Sequence, residues 1–235
     1  MPPGQKRGDM EGHISRIFDE ELRELKESML FEGELVQRAV QNAVTALLTR
    51  NSDLARKVIE DDEVINTKEV EIDEFCLKLL ALRQPAAKDL RFIATAIKIN
   101  YDLERMGDMA VNICERVLEL NLEPQLKPYI DVPKMAEIAQ TMVKESLDAF
   151  VKEDPQLAWK VTQDDAKVDQ LNEQIFRELL TYMSEDLKTI SRATRLLFIS
   201  KYLERLSDHA VNIAELVIFF VQGKIIRHLK ATPNP

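Results

Sequence analysis

The residues with chemistry to offer are acids set one helical turn apart, and they occur twice. Glu104 and Asp108 stand four residues apart, and Asn112 follows at the same interval. Glu204, Asp208 and Asn212 repeat the pattern one hundred residues later. Side chains at i and i+4 share one face of a helix, so each trio forms a row of oxygen donors. Two carboxylates at that spacing repel each other, and a cation, a basic partner or water must compensate. A second pair of rows lies upstream. Asp62, Asn66 and Glu69 fall at i, i+4 and i+7, and Asp165, Asp169 and Asn172 keep the same spacing. Were the helices bearing these rows to pack antiparallel to those bearing the first pair, the rows would face one another. Oxygen-only donor sets suit hard cations such as magnesium, calcium, manganese or iron. From the residues alone two accounts stay open, a metal-binding face and a polar network between helices.

Other candidates are plainer. Metalloenzymes built on helical bundles usually add a histidine three residues after a glutamate, and none of His13, His209 and His228 is so placed. A carboxylate-bridged metalloenzyme is therefore the rival reading, and a purely structural helical oligomer is a third. His209 has Met109 as its counterpart in the other copy, so it is expected at the surface or in a polar network. Arg105 and Arg205 directly follow the glutamates and are expected to point elsewhere, towards acids of another helix. Arg83, Lys88 and Arg91 gather near one turn, which reads as a solvated helix end. Trp159, Phe18, Phe219 and Phe220 read as core or dimer-contact residues. With no Gly-rich phosphate loop and no Ser/His/Asp arrangement, catalysis has no visible machinery, and an enzyme is not expected.

The elements that must carry these rows are helices, and they too are duplicated. DLERMGDMAVNI at 102–113 and YLERLSDHAVNI at 202–213 agree at eight of twelve positions, at an offset of 100. Upstream, LARKVIEDDEVIN at 54–66 pairs with LAWKVTQDDAKVD at 157–169, at an offset of 103. The second copy is thus three residues shorter between the blocks, and RQPAAKD at 83–89 is the natural place for the extra length. The unit is half the chain, so this is a duplicated domain and not a solenoid. We assign the first repeat to 13–122 and the second to 132–228.

Each repeat reads as three helices. The first runs from about Ile14 to Arg50 on the stripe Phe18, Leu22, Leu25, Met29, Val36, Ala43 and Leu47. Asn51 to Asp53 end it and cap a second helix that reaches about Leu82, with Val58, Ile65, Ile72, Leu79 and Leu80 inward. Pro85 sits near the start of a third helix that ends at about Leu120. The prolines of 121–132, with Pro133, mark the linker. The second repeat follows the same plan: a helix to about Lys152, Asp154 and Pro155 as cap and first residue of the next, a turn near Ser184–Asp186, and a last helix to Gly223. The closing ATPNP is expected to be disordered.

Composition sets the class. The 45% apolar and 31% charged residues supply both a core and a soluble surface, and only six glycines oppose a turn-rich β fold. A net charge of −9 disfavours nucleic acid as a partner, because binding its backbone needs clustered Lys and Arg. Cys76 and Cys114 form no CxxC and read as core thiols of a reducing compartment. No signal peptide or membrane-length apolar run is visible, so a cytoplasmic location without membrane insertion is expected.

The blocks LERMGDMAVNI and LERLSDHAVNI, with HIS at 13–15, DLARKVIEDDEVIN, RQP at 83–85 and GKIIRH from Gly223, resemble the PhoU family of phosphate-uptake and phosphate-signalling regulators. The resemblance covers nearly the whole chain. It implies an all-α fold of two tandem, pseudo-symmetric three-helix bundles. It also implies bound metal: iron, zinc, manganese or magnesium, in some members as multinuclear iron or zinc clusters. The core ligands would be Glu104, Asp108, Glu204 and Asp208, completed by Asp62, Asn66, Glu69, Asp165, Asp169 and Asn172. Asn112 and Asn212 extend the rows. Asn172 in the place of Glu69 implies a less charged second site. The family acts as a negative regulator between the Pst-type phosphate ABC transporter and a sensor histidine kinase. The expected contacts are the transporter's ATPase subunit and the kinase's PAS and catalytic regions. PhoU-like domains also occur fused to sodium–phosphate transporters, but a chain without membrane helices resembles the free-standing form. We expect a homodimer.

Overall fold

Several helix boundaries have a local cause. The computed structural model describes residues 5–85 and 87–223. The helices are α1 (Gln5–Thr49), α2 (Ser52–Arg83), α3 (Ala87–Leu120), α4 (Asp131–Lys152), α5 (Pro155–Glu185) and α6 (Ile190–Gln222). The Asn51 side chain accepts from the N–H groups of Asp53 and Leu54, and Asp154 accepts from those of Gln156 and Leu157. Both caps satisfy donors that a helix start leaves open. Gln84 ends α2 and Glu153 ends α4 in the left-handed region, at φ 47° and 55°. Gly223 ends α6 at φ 69°, the position where glycine has no side chain to strain.

Three boundaries differ from the expectation. α1 starts at Gln5, well before Ile14, through residues that carry no apolar stripe. Pro133 lies inside the first turn of α4, where its missing N–H has no intrahelical partner to lose. A short 3-10 turn, Leu187–Thr189, precedes α6 and is fastened by the Thr189 hydroxyl donating to the carbonyls of Tyr182 and Asp186. His228 and the ATPNP end lie outside the described residues, as do the side chains of His13 and its neighbours.

No strand occurs among the described residues. Helices α3 and α6 pack on each other at the centre, α2 flanks α3, and α5 flanks α6. α1 lies across α2 and α3, α4 lies across α5 and α6, and α1 also touches α4. The stripe expected on α1 is the buried one: Leu25, Met29, Val36, Ala43 and Leu47 are at most 1% exposed. The two repeats join through one core. Phe92 of α3 stacks on Phe150 of α4 with ring centroids 4.7 Å apart, and Phe220 of α6 meets Phe92 edge-on at 5.6 Å. A Cβ on Gly33 would lie 2.1 Å from Leu147 Cδ1, so the missing side chain sets how closely α1 approaches α4. Trp159 and Phe18 pack against the core edge, and Cys76 and Cys114 are buried free thiols.

The basic turn is not a free helix end. Arg83 donates twice to Glu21 of α1, at 2.7 and 2.8 Å. Lys88 pairs with Glu153 at 2.6 Å, with Lys26 on the same carboxylate at 3.6 Å. These bonds tie the α2–α3 turn to α1 and to the α4–α5 turn.

Candidate metal-binding faces

The antiparallel pairing of α2 with α3 brings the two rows of the first repeat together. A Cβ on Gly107 would lie 3.1 Å from Asp62 Oδ1 and 3.2 Å from Ile65 Cδ1, so a glycine beside Asp108 lets α2 close on the acidic face. Ser207 holds the equivalent place beside Asp208, and its hydroxyl donates to the Glu204 carbonyl at 2.7 Å. The sequence reading missed this small residue, although Gly and Ser both stand just before the aspartate of the two blocks. That was the available signal.

The electrostatics record which acids share a neighbourhood. Burial raises the carboxyl of Glu104, and Asp108, Glu69 and Asp62 raise it further, while Arg105 opposes them. Burial likewise lifts Asp62, with Asp108 adding to it and a hydrogen bond from Asn66 at 3.2 Å pulling back. Glu69 is raised by burial and by Asp73. In the second repeat burial raises Asp165, with Asp169 and Glu204 contributing and Ser207 opposing. Burial and then Glu204 push Asp208 up to about 6, although its outer side is open to solvent. Each repeat therefore gathers four carboxylates: Asp62, Glu69, Glu104 and Asp108 in the first, Asp165, Asp169, Glu204 and Asp208 in the second.

The asparagines play different parts. Asn66 is spent on Asp62, and Asn112 donates to the Asp108 carbonyl at 2.8 Å. Asn172 sits with Phe176, Leu197, Phe198 and Lys201 around an open groove of about 460 Å³, and Asn212 is half-buried on α6. Arg105 forms its ion pairs within its own helix and not with another. It lies 3.1 Å from Glu104 Oε2 and donates to Asp108 Oδ2 at 2.8 Å, bridging the acids of its own row. Arg205 is exposed, and Lys201 takes the corresponding role by pairing with Glu204. His209 is a network histidine, its Nδ1 lying 2.7 Å from Asp102 Oδ1 across the α3–α6 joint.

Among the described residues no group of three or more His, Cys, Asp or Glu side chains stands at metal-holding geometry. The donor chemistry nevertheless fits a hard cation. Every candidate is an oxygen donor, and Asp165 Oδ1 and Glu204 Oε2 are buried without a hydrogen-bond partner. Glu104 Oε2 lies 3.1 Å from Arg105 Nε, without hydrogen-bond geometry. A cation would satisfy these atoms after rotation of flexible side chains, and it would have to displace Arg105 and Lys201 from the rows. The absence of nitrogen and sulfur donors favours magnesium, manganese or ferric iron over zinc.

Two acidic faces, one per repeat, on a duplicated helical scaffold define a helical-bundle protein with internal pseudo-symmetry. The sequence model of the PhoU domain matches this chain twice, at residues 32–117 and 132–217. The chain belongs to the PhoU family. It is 44% identical over 218 residues to the phosphate-specific transport system accessory protein PhoU homolog of Pseudomonas putida, covering 92% of this chain and 85% of that protein. The crystal structure of PhoU from Pseudomonas aeruginosa superposes with a TM-score of 0.84 at 44% identity, covering 88% of this chain and 100% of that one. The phosphate transport system regulatory protein PhoU of Streptococcus pneumoniae gives 0.83 at 31% identity, covering 88% and 98%.

Proposed function

We propose that this protein regulates phosphate transport and phosphate-starvation signalling as a non-catalytic adaptor whose acidic faces take up hard cations. Its membership of the PhoU family and its likeness to accessory and regulatory proteins of phosphate transport support the regulatory role. The observation that carries the cation reading is the facing of two carboxylate rows in each repeat, with buried oxygens left unpartnered. Glu104, Asp108, Asp62 and Glu69 would hold the ion in the first repeat, and Glu204, Asp208, Asp165 and Asp169 in the second. The bound cation supplies positive charge that cancels the repulsion between the rows and fixes the spacing of α2 to α3 and of α5 to α6. The partners in this reading are the ATPase subunit of a phosphate ABC transporter and a sensor histidine kinase, met by a cytoplasmic homodimer. No described helix is long and apolar enough to cross a membrane, so contact with the transporter would be made from outside the bilayer.

The test replaces Glu104 and Asp108 by Ala, with the matching double change at Glu204 and Asp208. Each double variant is expected to stay folded and to lose bound metal after tag-free purification. In cells, the fourfold variant is expected to leave phosphate-starvation genes on in abundant phosphate. Metal content and gene repression both equal to the parent's would defeat the proposal.

A further inference from the structure

A second set of polar groups lies deeper in the first repeat, behind Glu69 and Glu104 of the acidic rows. Glu32 of α1 is 0% exposed, and neither of its carboxylate oxygens has a hydrogen-bond partner. Asn100 of α3 is also 0% exposed. Its Nδ2 donates to the Glu69 carbonyl at 2.8 Å and to Asp73 Oδ1 at 2.9 Å. Two acceptors at Nδ2 fix the orientation of the amide and leave Oδ1 buried and unpartnered. Three buried acceptor atoms with nothing to accept are costly, since each has lost water without replacement.

No basic side chain bonds to them. Lys68, the cation that acts on Glu32, is held by Glu71 at 2.8 Å and lies over the Phe31 ring. Burial, aided by Glu69 and Asp73, pushes the Glu32 carboxyl up to about 9. A proton would remove the charge and turn one carboxyl oxygen into a donor for a second acceptor, which still leaves one buried oxygen unpartnered. A cation accepts lone pairs from all of them at once.

We propose that the first repeat holds one hard divalent cation inside the bundle, on Glu32, Asp73 and Oδ1 of Asn100, at a site the second repeat lacks. Three helices each contribute one ligand. The two carboxylates match a double charge, and donors that are all oxygen exclude a preference for soft ions. Asp73 is half-buried and gives the ion its way in from solvent. With offsets of 103 and 100, the corresponding residues of the second repeat are Met135, Phe176 and Ser200. Met135 is 0% exposed, so the same interior position is filled there by an apolar side chain. The three proposed ligands differ from the residues assigned to the acidic faces, although Glu69 and Glu104 lie close enough to act on Glu32.

The experiment uses the full chain, stripped with chelator, dialysed and titrated with MnCl2, with free Mn2+ read by electron paramagnetic resonance. The parent protein is expected to bind one more equivalent than Glu32→Met, the residue the other repeat carries. Glu32→Gln, which keeps the shape, serves if the methionine variant does not fold, and should bind that equivalent roughly tenfold or more weakly. Saturating MnCl2 should raise the melting temperature of the parent more than that of either variant. Unchanged stoichiometry in both variants overturns the proposal. So does a variant more stable than the parent by the same margin with and without Mn2+, which marks Glu32 as a buried protonated acid. The double alanine change at Glu104 and Asp108 is expected to keep the interior equivalent. Loss of one equivalent there, with the Glu32-dependent equivalent kept, separates the outer face from the interior site.

Discussion

In the first repeat, Glu32, Asp73 and Asn100 stand between α1, α2 and α3, where the second repeat has Met135, Phe176 and Ser200. The first repeat places a buried carboxylate and amide there, whereas the second has the buried apolar Met135 and a buried serine, with Phe176 exposed beside an open groove. The outer rows differ less. Gly107 faces Asp62 where Ser207 faces Asp165, Arg105 bridges Glu104 and Asp108 where Lys201 pairs with Glu204, and Glu69 is answered by Asn172. Duplication thus kept the backbone plan and the outer carboxylates while the interiors diverged. One scaffold tolerates both because helix geometry is set by the shared apolar stripe, and single positions within the stripe can change their chemistry.

The largest test of this contrast is pH. Glu32 is raised from 4.5 to about 9, facing Glu69, Asp73, Glu104 and Lys68. In the cation-free protein the raised acid contributes fully below pH 4.5, and that contribution is lost as pH rises through about 9. The slope approaches about 1.4 kcal/mol per pH unit in that window. Glu32→Met should flatten it, as measured by denaturant unfolding between pH 5 and 9. A slope equal in parent and variant would place its origin elsewhere. Next is the closeness of α2 to α3. Gly107→Leu should cost ~1–3 kcal/mol by forcing the helices apart, whereas Gly107→Ser, which copies the other repeat, should cost much less. Equal losses would show that the gap at Asp62 is not tight. The smallest effect concerns Asp208, raised to about 6. Its contribution is full below the ordinary aspartate range and lost as pH rises through 6. Asp208→Asn should therefore raise the melting temperature of cation-free protein at pH 8 and leave it unchanged at pH 3.

Much of the candidate site was legible before the coordinates. The i, i+4 spacing of Glu104 with Asp108 and of Glu204 with Asp208 places each pair on one face whatever the fold around it. The caps at Asn51 and Asp154 were equally legible, because capping is settled within three residues. Glu32 gave a signal that passed unnoticed. It falls between Met29 and Val36, where the buried stripe of α1 calls for an apolar residue. Arg105 was misplaced because direct succession to Glu104 suggested divergence, yet a long side chain reaches both the acid before it and the one three residues on. Arg83 and Lys88 found their partners, Glu21 and Glu153, far away in the chain, and no local pattern announces such pairs.

By itself the sequence determined the helices, their duplication and the two rows of oxygen donors, because periodicity, capping and repetition are properties of neighbouring residues. Only the tertiary structure decided that α2 closes on α3 at Gly107, that His209 meets Asp102 across the joint between repeats, and that Glu32 and Asn100 are sealed from water. Burial and encounter depend on which faces meet across the core, and that is a property of the whole packed chain.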